Sequence, residues 1–360
     1  MDTLTIRSRL KSYSVAFTEQ FSFFERLVSL ENAAYVVDEN VLRLYPEYFA
    51  AIGKEKLFSF HAVEEKKNME SVLGLVKMLL QQGMRRNTTL VSIGGGITQD
   101  VTGCVASILY RGVPWIFVPT TLLAQVDSCI GSKTSLNFES SKNILGTFYP
   151  PSEIHIDTGF LGTLAPKDLW SGIGEMIKLL LFAVKERRDL DIFAREVREA
   201  EKNIILLPPL IRRGLMVKKI YIEEDEFDIG RRNMLNYGHT LGHALESTSH
   251  YEIPHGLGVI IGMMCANIVA INRNLMDQEV FDFINKKIFL PNLHREEFRL
   301  EKKYFESSTL IEKIKKDKKR TTDNFTFILP TRFLEFKKFN DVTAEEFEKS
   351  LKHLTNILKI

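Results

Sequence analysis

The chain is poor in cysteine, has almost no excess of either charge, and lacks a long uninterrupted apolar run. Its 3 cysteines in 360 residues, Cys104, Cys129 and Cys265, are scattered and form no CxxC pair. That excludes a disulfide framework and points to a reducing, cytoplasmic setting. The 48 basic and 46 acidic residues leave a net charge of +2, which gives no electrostatic footprint for nucleic acid or a membrane surface. The most apolar stretch, "GLGVIIGMMCANIVAI", is shorter than a membrane span and is broken by Gly and Asn, so it reads as a buried helix. The opening "MDTLTIRSRLKSYSVAF" carries charges throughout and no apolar core, so no signal peptide is expected. The basic run "KIKKDKKR" reads as a solvated segment, and no internal repeat or low-complexity tract is visible.

What is present is an ordinary globular composition, 44% hydrophobic and 26% charged, with enough length for two domains. Apolar runs in "NAAYVVDENV", "TTLVSIGGG", "WIFVPTT" and "SEIHIDT" predict strands. Helical patterns such as "EEKKNMESVLGLVKMLLQQG" and "DVTGCVASILYRG" lie between them. Strands alternating with helices predict a Rossmann-like α/β domain, a parallel sheet covered on both faces. After about Thr163 the strand signals nearly vanish, with "NFTFILPTRF" as the exception, and "APKDLWSGIGEMIKLLLFAVKE" has helical spacing with Pro166 suited to a first turn. The expected organisation is an α/β domain over 1–163 and a mainly helical domain over 164–360.

Gly94, Gly95 and Gly96 follow an apolar strand and precede a helix expected to begin near Gln99–Asp100. Backbone amides at such a turn can face a phosphate, because no Cβ blocks the approach and the helix N-terminus is electropositive. The spacing is not GxGxxG. Asp38 ends an earlier strand, where an acidic residue can meet ribose hydroxyls. In "LNYGHTLGHALE", His239 and His243 stand four residues apart and share a helix face, which suits a divalent metal, zinc above all. His255 follows in "IPHGLG", and Glu175 sits among apolar neighbours in "GIGEMIKLL", where a carboxylate is costly unless paired or metal-bound. Spacing alone leaves open which three of these four groups hold the metal.

The segments "GGGITQDVTG", "YRGVPWIFVPTTLLAQVDSCIGSKT", "SKNILGTFYPP", "GEMIK" and "RRNMLNYGHTLGHALE…IPHG" together resemble the sugar phosphate cyclases, most nearly their 3-dehydroquinate synthase branch. The resemblance implies an NAD-binding α/β domain followed by a helical metal-binding domain. It implies Glu175, His239 and His255 as ligands of one divalent metal, zinc or alternatively cobalt, with His243 facing the substrate near its phosphate. For NAD it implies Asp38 and Asn40 near the adenosine, with Glu64 and Lys67 close by. Gly95, Gly96 and Asp100 would cradle the pyrophosphate; Thr120, Thr121, Leu123 and Asp127 would line the nicotinamide side; Lys142, Thr163 and Leu164 would close it. Lys133, Lys178, Lys218, Asp228 and His243 carry over as catalytic, and Arg111, Asn143, Arg232, Asn236 and Lys318, with Lys319 beside it, as substrate contacts. Such a set of cations suits a substrate bearing both phosphate and carboxylate.

The reaction so implied turns 3-deoxy-arabino-heptulosonate 7-phosphate into 3-dehydroquinate and phosphate, with NAD as a catalyst that is oxidant first and reductant later. A homodimer is expected, with neither nucleic acid nor membrane as partner. Three departures from the family pattern stand out: Asp228 replaces Glu, "GSKTS" places Ser132 where Gly is usual, and "GGGITQD" replaces a more apolar run. They leave room for a sister cyclase acting on sedoheptulose 7-phosphate or glucose 6-phosphate. A metal-dependent NAD alcohol dehydrogenase is the reading from another enzyme class.

Overall fold

A computed structural model describes residues 2–139, 141–294, 298–315 and 324–360. The chain forms two compact units, Met1–Ala165 with Lys219–Phe227, and Pro166–Lys218 with Asp228–Ile360. The division therefore falls two residues beyond the expected 163/164 boundary, and the return of 219–227 to the first unit is a feature that the pattern of strands and helices did not contain.

In the first unit, β1 (Asp2–Ile6), β2 (Tyr13–Thr18), β3 (Ala33–Asp38), β4 (Leu57–Phe60), β5 (Thr89–Gly94), β6 (Trp115–Pro119) and β9 (Glu153–Asp157) form one sheet in the order β1-β2-β9-β6-β5-β3-β4. All neighbours are parallel except the β1–β2 pair. β3, β5 and β6 are buried almost throughout, which is why they read as continuous apolar runs rather than alternating ones. On one face Phe23, Tyr35, Val37, Ile93, Val118 and Phe160 belong to one core. The β1–β2 hairpin was not foreseen, although Leu4, Ile6, Tyr13 and Val15 alternate into the interior with period two. A second, two-stranded ribbon pairs β7 (Lys133–Phe138) with β8 (Ser141–Phe148). The helix after β5 starts at Gly96, three residues earlier than the sequence suggested.

His155 on β9 is only 5% exposed, and its ring stacks on Phe23 at 5.5 Å between centroids. Burial first, and the Arg26 guanidinium second, push its pKa down to about 4. The neutral ring is therefore the folded form, and its contribution is complete above the ordinary value of 6.5 and is lost as pH falls from there through about 4. His155→Phe keeps the stack and removes the titration. Thermal unfolding followed between pH 7 and pH 5 should show a shallower loss of Tm in the variant; parallel pH profiles would count against this role.

The second unit is built on the helices Pro166–Leu181, Leu207–Glu224 (up to Lys218), His239–Thr248 and His255–Asn272. The last of these is long and apolar enough to cross a membrane, yet 83% of it is buried inside the fold. Glycine lets its neighbours approach. A Cβ on Gly256 would stand 1.9 Å from Ser171 O, and one on Gly262 would stand 1.8 Å from Gly238 O. These two contacts draw the Pro166–Leu181 and His239–Thr248 helices against the His255–Asn272 helix. "NFTFILPTRF" does form a strand, β10 (Phe325–Thr331), which pairs with β11 (Glu335–Val342).

Candidate active site

The close helix packing in the second unit sets Glu175, Lys178, His239, His243 and His255 together. Glu175 and Lys178, one turn apart on the Pro166–Leu181 helix, are 0% and 2% exposed, and Lys178 Nζ lies 2.5 Å from Glu175 Oε2. Glu175 Oε1 is 3.0 Å from His255 Nε2 and 3.3 Å from His239 Nε2. His239 and His255 each open a helix, so their side chains reach into the same space from two N-termini. His243, exposed and one turn beyond His239, completes a group of three imidazoles that each offer a nitrogen within 4.8 Å of the others.

The opposite ring edges fix the tautomers. His239 Nδ1 lies 3.2 Å from the Tyr237 carbonyl, and His255 Nδ1 lies 3.1 Å from Glu246 Oε2. Both partners can only accept, so both Nδ1 atoms carry hydrogen. In His239 this turns the Nε2 lone pair toward a carboxylate oxygen, an arrangement that repels unless a cation lies there. The same pattern, a ring nitrogen held from behind and a free lone pair in front, is that of metal-ligating histidine. Without a metal the charges balance through protons. Burial opposes ionisation of Glu175, but Lys178 and the imidazoles outweigh it and hold its carboxyl well below the usual range. Burial, then Lys178, pushes His239 down. Burial also works against charged His255, yet Glu246 and Glu175 prevail and raise it to about 10. The donor set fits a divalent cation.

Glu246 went unnoticed in the sequence. Its signal was present, because it stands seven residues after His239 and three after His243, on the same helix face.

Elsewhere in this unit Lys218 and Arg232 are buried and Asn236 is exposed. Asp228 has a left-handed backbone (φ 58°), and its Oδ1 and carbonyl oxygen both accept from Asn233 Nδ2 at 2.9 Å. Asp tolerates that conformation better than Glu, so the departure at 228 has a local reason. It anchors the Arg231–Asn236 turn that carries Arg232 and Asn236. Lys318 and Lys319 lie outside the described residues.

In the first unit the carboxyl ends of three adjacent strands, β6, β5 and β3, bring Thr120 and Thr121, Gly94–Gly96, and Asp38 to one edge of the sheet. That edge is where open α/β sheets take ligands. Asp38 Oδ1 accepts from the Asn40 amide at 2.8 Å, and burial foremost pushes its carboxyl up. Thr121 Oγ1 accepts from Ala124 N. Leu123 and Asp127 lie half-buried on the following turn, while Thr163 pairs with the Tyr45 hydroxyl at 2.8 Å and Leu164 follows it, half-buried. Arg111 is exposed, with a left-handed backbone at φ 65°.

A polar chain crosses the β7–β8 ribbon. Asp100 accepts from Ser135 N and Ser135 Oγ, both at 2.9 Å, and lies 2.6 Å from Lys67 Nζ. Burial pushes Asp100 up, against the pull of Lys67 and Ser135. Lys67 donates onward to Asn143, and Glu64 meets Asn137 at 2.8 Å and Lys142 at 3.4 Å. Lys133 is exposed at the start of β7. Ser132 beside it is left-handed (φ 64°) where a glycine would be unstrained, but its Oγ donates to buried Glu226 at 3.0 Å. Gln99 and Ser128 bond each other reciprocally at 2.7 Å, which accounts for a polar residue in "GGGITQD".

Comparison with known proteins bears on the family and the fold. Residues 57–171 match the family model for the N-terminal part of 3-dehydroquinate synthase, and residues 172–320 match that for its C-terminal part. A 3-dehydroquinate synthase from Streptococcus pyogenes serotype M3 is 33% identical over 344 residues, covering 91% of this chain and 92% of its own. Among solved structures, the 2-epi-5-epi-valiolone synthase of Streptomyces hygroscopicus subsp. jinggangensis 5008, with NAD+ and Zn2+ bound, is 26% identical with a TM-score of 0.81, covering 97% of this chain and 99% of its own. A 2-deoxy-scyllo-inosose synthase complexed with carbaglucose-6-phosphate, NAD+ and Co2+ shares the fold at 23% identity and a TM-score of 0.81, covering 98% and 100%. The chain thus belongs to the 3-dehydroquinate synthase family and is an enzyme of that cyclase type.

Proposed function

We propose that this enzyme is a 3-dehydroquinate synthase, forming 3-dehydroquinate and phosphate from 3-deoxy-arabino-heptulosonate 7-phosphate in the cytoplasm. The observation that carries the reading is the buried Glu175 faced by two back-held imidazoles, in a chain one-third identical to synthases of that name over nearly their whole length. Glu175, His239 and His255 would hold the metal, zinc or cobalt, and the sheet edge at Asp38, Gly95–Gly96 and Thr120–Thr121 would hold NAD. NAD held there would supply reversible hydride exchange with a ring carbinol, and a divalent metal at Glu175, His239 and His255 would supply Lewis acidity.

The chain's own groups do the rest by position and charge. Lys218 and Arg232 are buried, so their charges are little screened by water and act strongly on an anionic ligand, whereas Lys178 is paired with Glu175 and holds that carboxylate ionised. In the first unit, Lys133 and Asn143 are exposed donors. His243, exposed on the helix face that bears His239, is placed to orient the substrate or hold a proton at its ring nitrogen. Once the ring carbon is a ketone, loss of the neighbouring C–H proton and departure of phosphate need orientation, a receiving cation and exclusion of water. The same holds for the ring opening and aldol closure that follow, and the departing phosphate can itself accept the proton.

The likeness to the valiolone synthase favours a second reading, a sister cyclase acting on sedoheptulose 7-phosphate. Against it, Ser132 and Asp228 have internal partners in Glu226 and Asn233, so both departures serve local structure. Phosphate release measured across the three candidate sugar phosphates, with NAD and zinc supplied, decides between them. The heptulosonate should be the productive substrate, and a trace of NAD should support many turnovers without lasting NADH absorbance. Turnover of sedoheptulose 7-phosphate alone would select the sister cyclase. NADH formed in proportion to product would select the dehydrogenase.

A further inference from the structure

Asn233 has no role in the family resemblance, yet it sits inside the Arg231–Asn236 turn, between Arg232 and Asn236. Its side chain bridges two segments. Lys338 on β11 donates to Asn233 Oδ1 at 3.0 Å, and Asn233 Nδ2 donates to both the carbonyl oxygen and Oδ1 of Asp228 at 2.9 Å. The two neighbours agree on which way round the amide lies. An ammonium can only donate, so it faces the amide oxygen; a carbonyl and a carboxylate can only accept, so they face the amide nitrogen.

β11 holds this bridge in place. Phe336 and Lys338 are two residues apart and point to the same face of the strand. Phe336 packs on Tyr237, the fully buried residue that follows the turn, with 4.7 Å between ring centroids. Lys338 reaches Asn233 from that same face. The backbone of Asn233 is fixed as well, its N–H donating to the Gly230 carbonyl at 3.1 Å. So short an arm, held at both ends, does two things. Its bond to the Asp228 carbonyl closes the turn. Its bond to Oδ1 adds nothing to that closure, but it settles the side chain of Asp228. Aspartate has two side-chain torsions, and a bond to Oδ1 from a fixed donor decides where the carboxylate faces.

We propose that Asn233 is a positioning residue for the reaction, aiming the Asp228 carboxylate at the substrate. The inference rests on the reading that Asp228 touches substrate. It goes beyond that reading by giving the aim of this shorter carboxylate to a residue that itself touches no ligand.

The test compares Asn233→Ala in two backgrounds of the NAD- and zinc-loaded enzyme, the parent and Asp228→Gly. Glycine accepts the left-handed backbone, removes the carboxylate and keeps the carbonyl that Asn233 also bonds. The ratio kcat/KM is read from phosphate release with the sugar phosphate that the parent turns over, so the comparison holds whichever sugar that is. In the parent, Asn233→Ala should lower kcat/KM roughly tenfold, the scale of one hydrogen bond to a charged group. In Asp228→Gly the same change should cost less than about twofold, because the group it aims is gone. Asn233→Asp keeps the size and the bond to Lys338 but turns a like charge on Asp228. It should cost at least as much as Asn233→Ala in the parent and again little in Asp228→Gly, and it reports even where the alanine variant folds poorly. NAD affinity, by direct titration, should stay within about twofold of the parent throughout. The same fractional loss in both backgrounds would overturn the inference and leave Asn233 a brace of the turn backbone. Parent-like kcat/KM in both Asn233 variants would overturn it too. Full activity of Asp228→Gly itself would remove the substrate reading of Asp228, and the inference with it.

Discussion

His255→Ala enzyme should lose its metal and its turnover together, while His243→Ala enzyme should keep the metal and lose most turnover. The difference follows from what stands behind and in front of each ring. His255 Nδ1 is held by Glu246, and Nε2 faces Glu175 Oε1 at 3.0 Å. Removing this ring takes away one donor and leaves Glu246 and Glu175 without their shared partner. Loss of an outer-shell partner alone typically costs a factor of about 10–100 in metal affinity. Loss of the ligand itself should exceed that, on the order of a thousandfold or more, enough to empty the site during dialysis. His243 also lies within 4.8 Å of the other imidazoles, so an all-histidine ligand set is the competing arrangement. Metal content by plasma mass spectrometry, measured beside phosphate release, separates the two. Loss of the metal from both the His243→Ala and the His255→Ala protein would show that the all-histidine set, and not Glu175 with His239 and His255, binds the ion, and a loaded His255→Ala protein would exclude His255 as a ligand in either arrangement.

The parts of this architecture that the sequence displayed are those set by local pattern. Unbroken apolar runs marked the buried parallel strands, and the four-residue spacing of His239 and His243 marked a shared helix face. Gly94–Gly96 marked a strand-to-helix turn, although the helix began at Gly96 itself because glycine is accepted in its first turn. What stayed hidden depends on pairs far apart in the chain, on backbone conformation, or on alternation in a charged segment. Ser132 looked like a lapse from a glycine pattern until Glu226, 94 residues away, was seen to accept its hydroxyl. Asp228 looked one methylene too short, but its left-handed backbone and its bonds to Asn233 favour the shorter side chain. The β1–β2 hairpin was masked because a charged N-terminal segment was weighed for hydrophobicity and not for alternation. Lys67 was placed near NAD by the family resemblance, and only the fold shows its bonds to Asp100 and Asn143.

Lys178→Met should destabilise the metal-free enzyme by roughly 3–5 kcal/mol, the usual cost of leaving one partner of a buried ion pair alone. Glu175 is fully buried, and Lys178 is the strongest single influence holding its carboxyl ionised against burial. Methionine fills similar volume without charge, so the loss is electrostatic more than steric. A divalent cation changes the outcome. Lys178 repels a metal at Glu175, so its removal should tighten metal binding, and binding to the folded state alone adds stability as free metal exceeds its dissociation constant. The variant should therefore be much less stable than the parent in chelator and closer to it in excess zinc. The pH dependence has a definite sign. In the parent, the depressed carboxyl of Glu175 contributes stability that is present above the ordinary value of 4.5 and is lost as pH falls through its lower folded value. Without Lys178 burial opposes ionisation with less resistance, so acid unfolding of the metal-free variant should begin at higher pH than in the parent. Equal Tm values for parent and variant in chelator at pH 7, with the same acid midpoint, would show that the Lys178–Glu175 contact does not hold this site together.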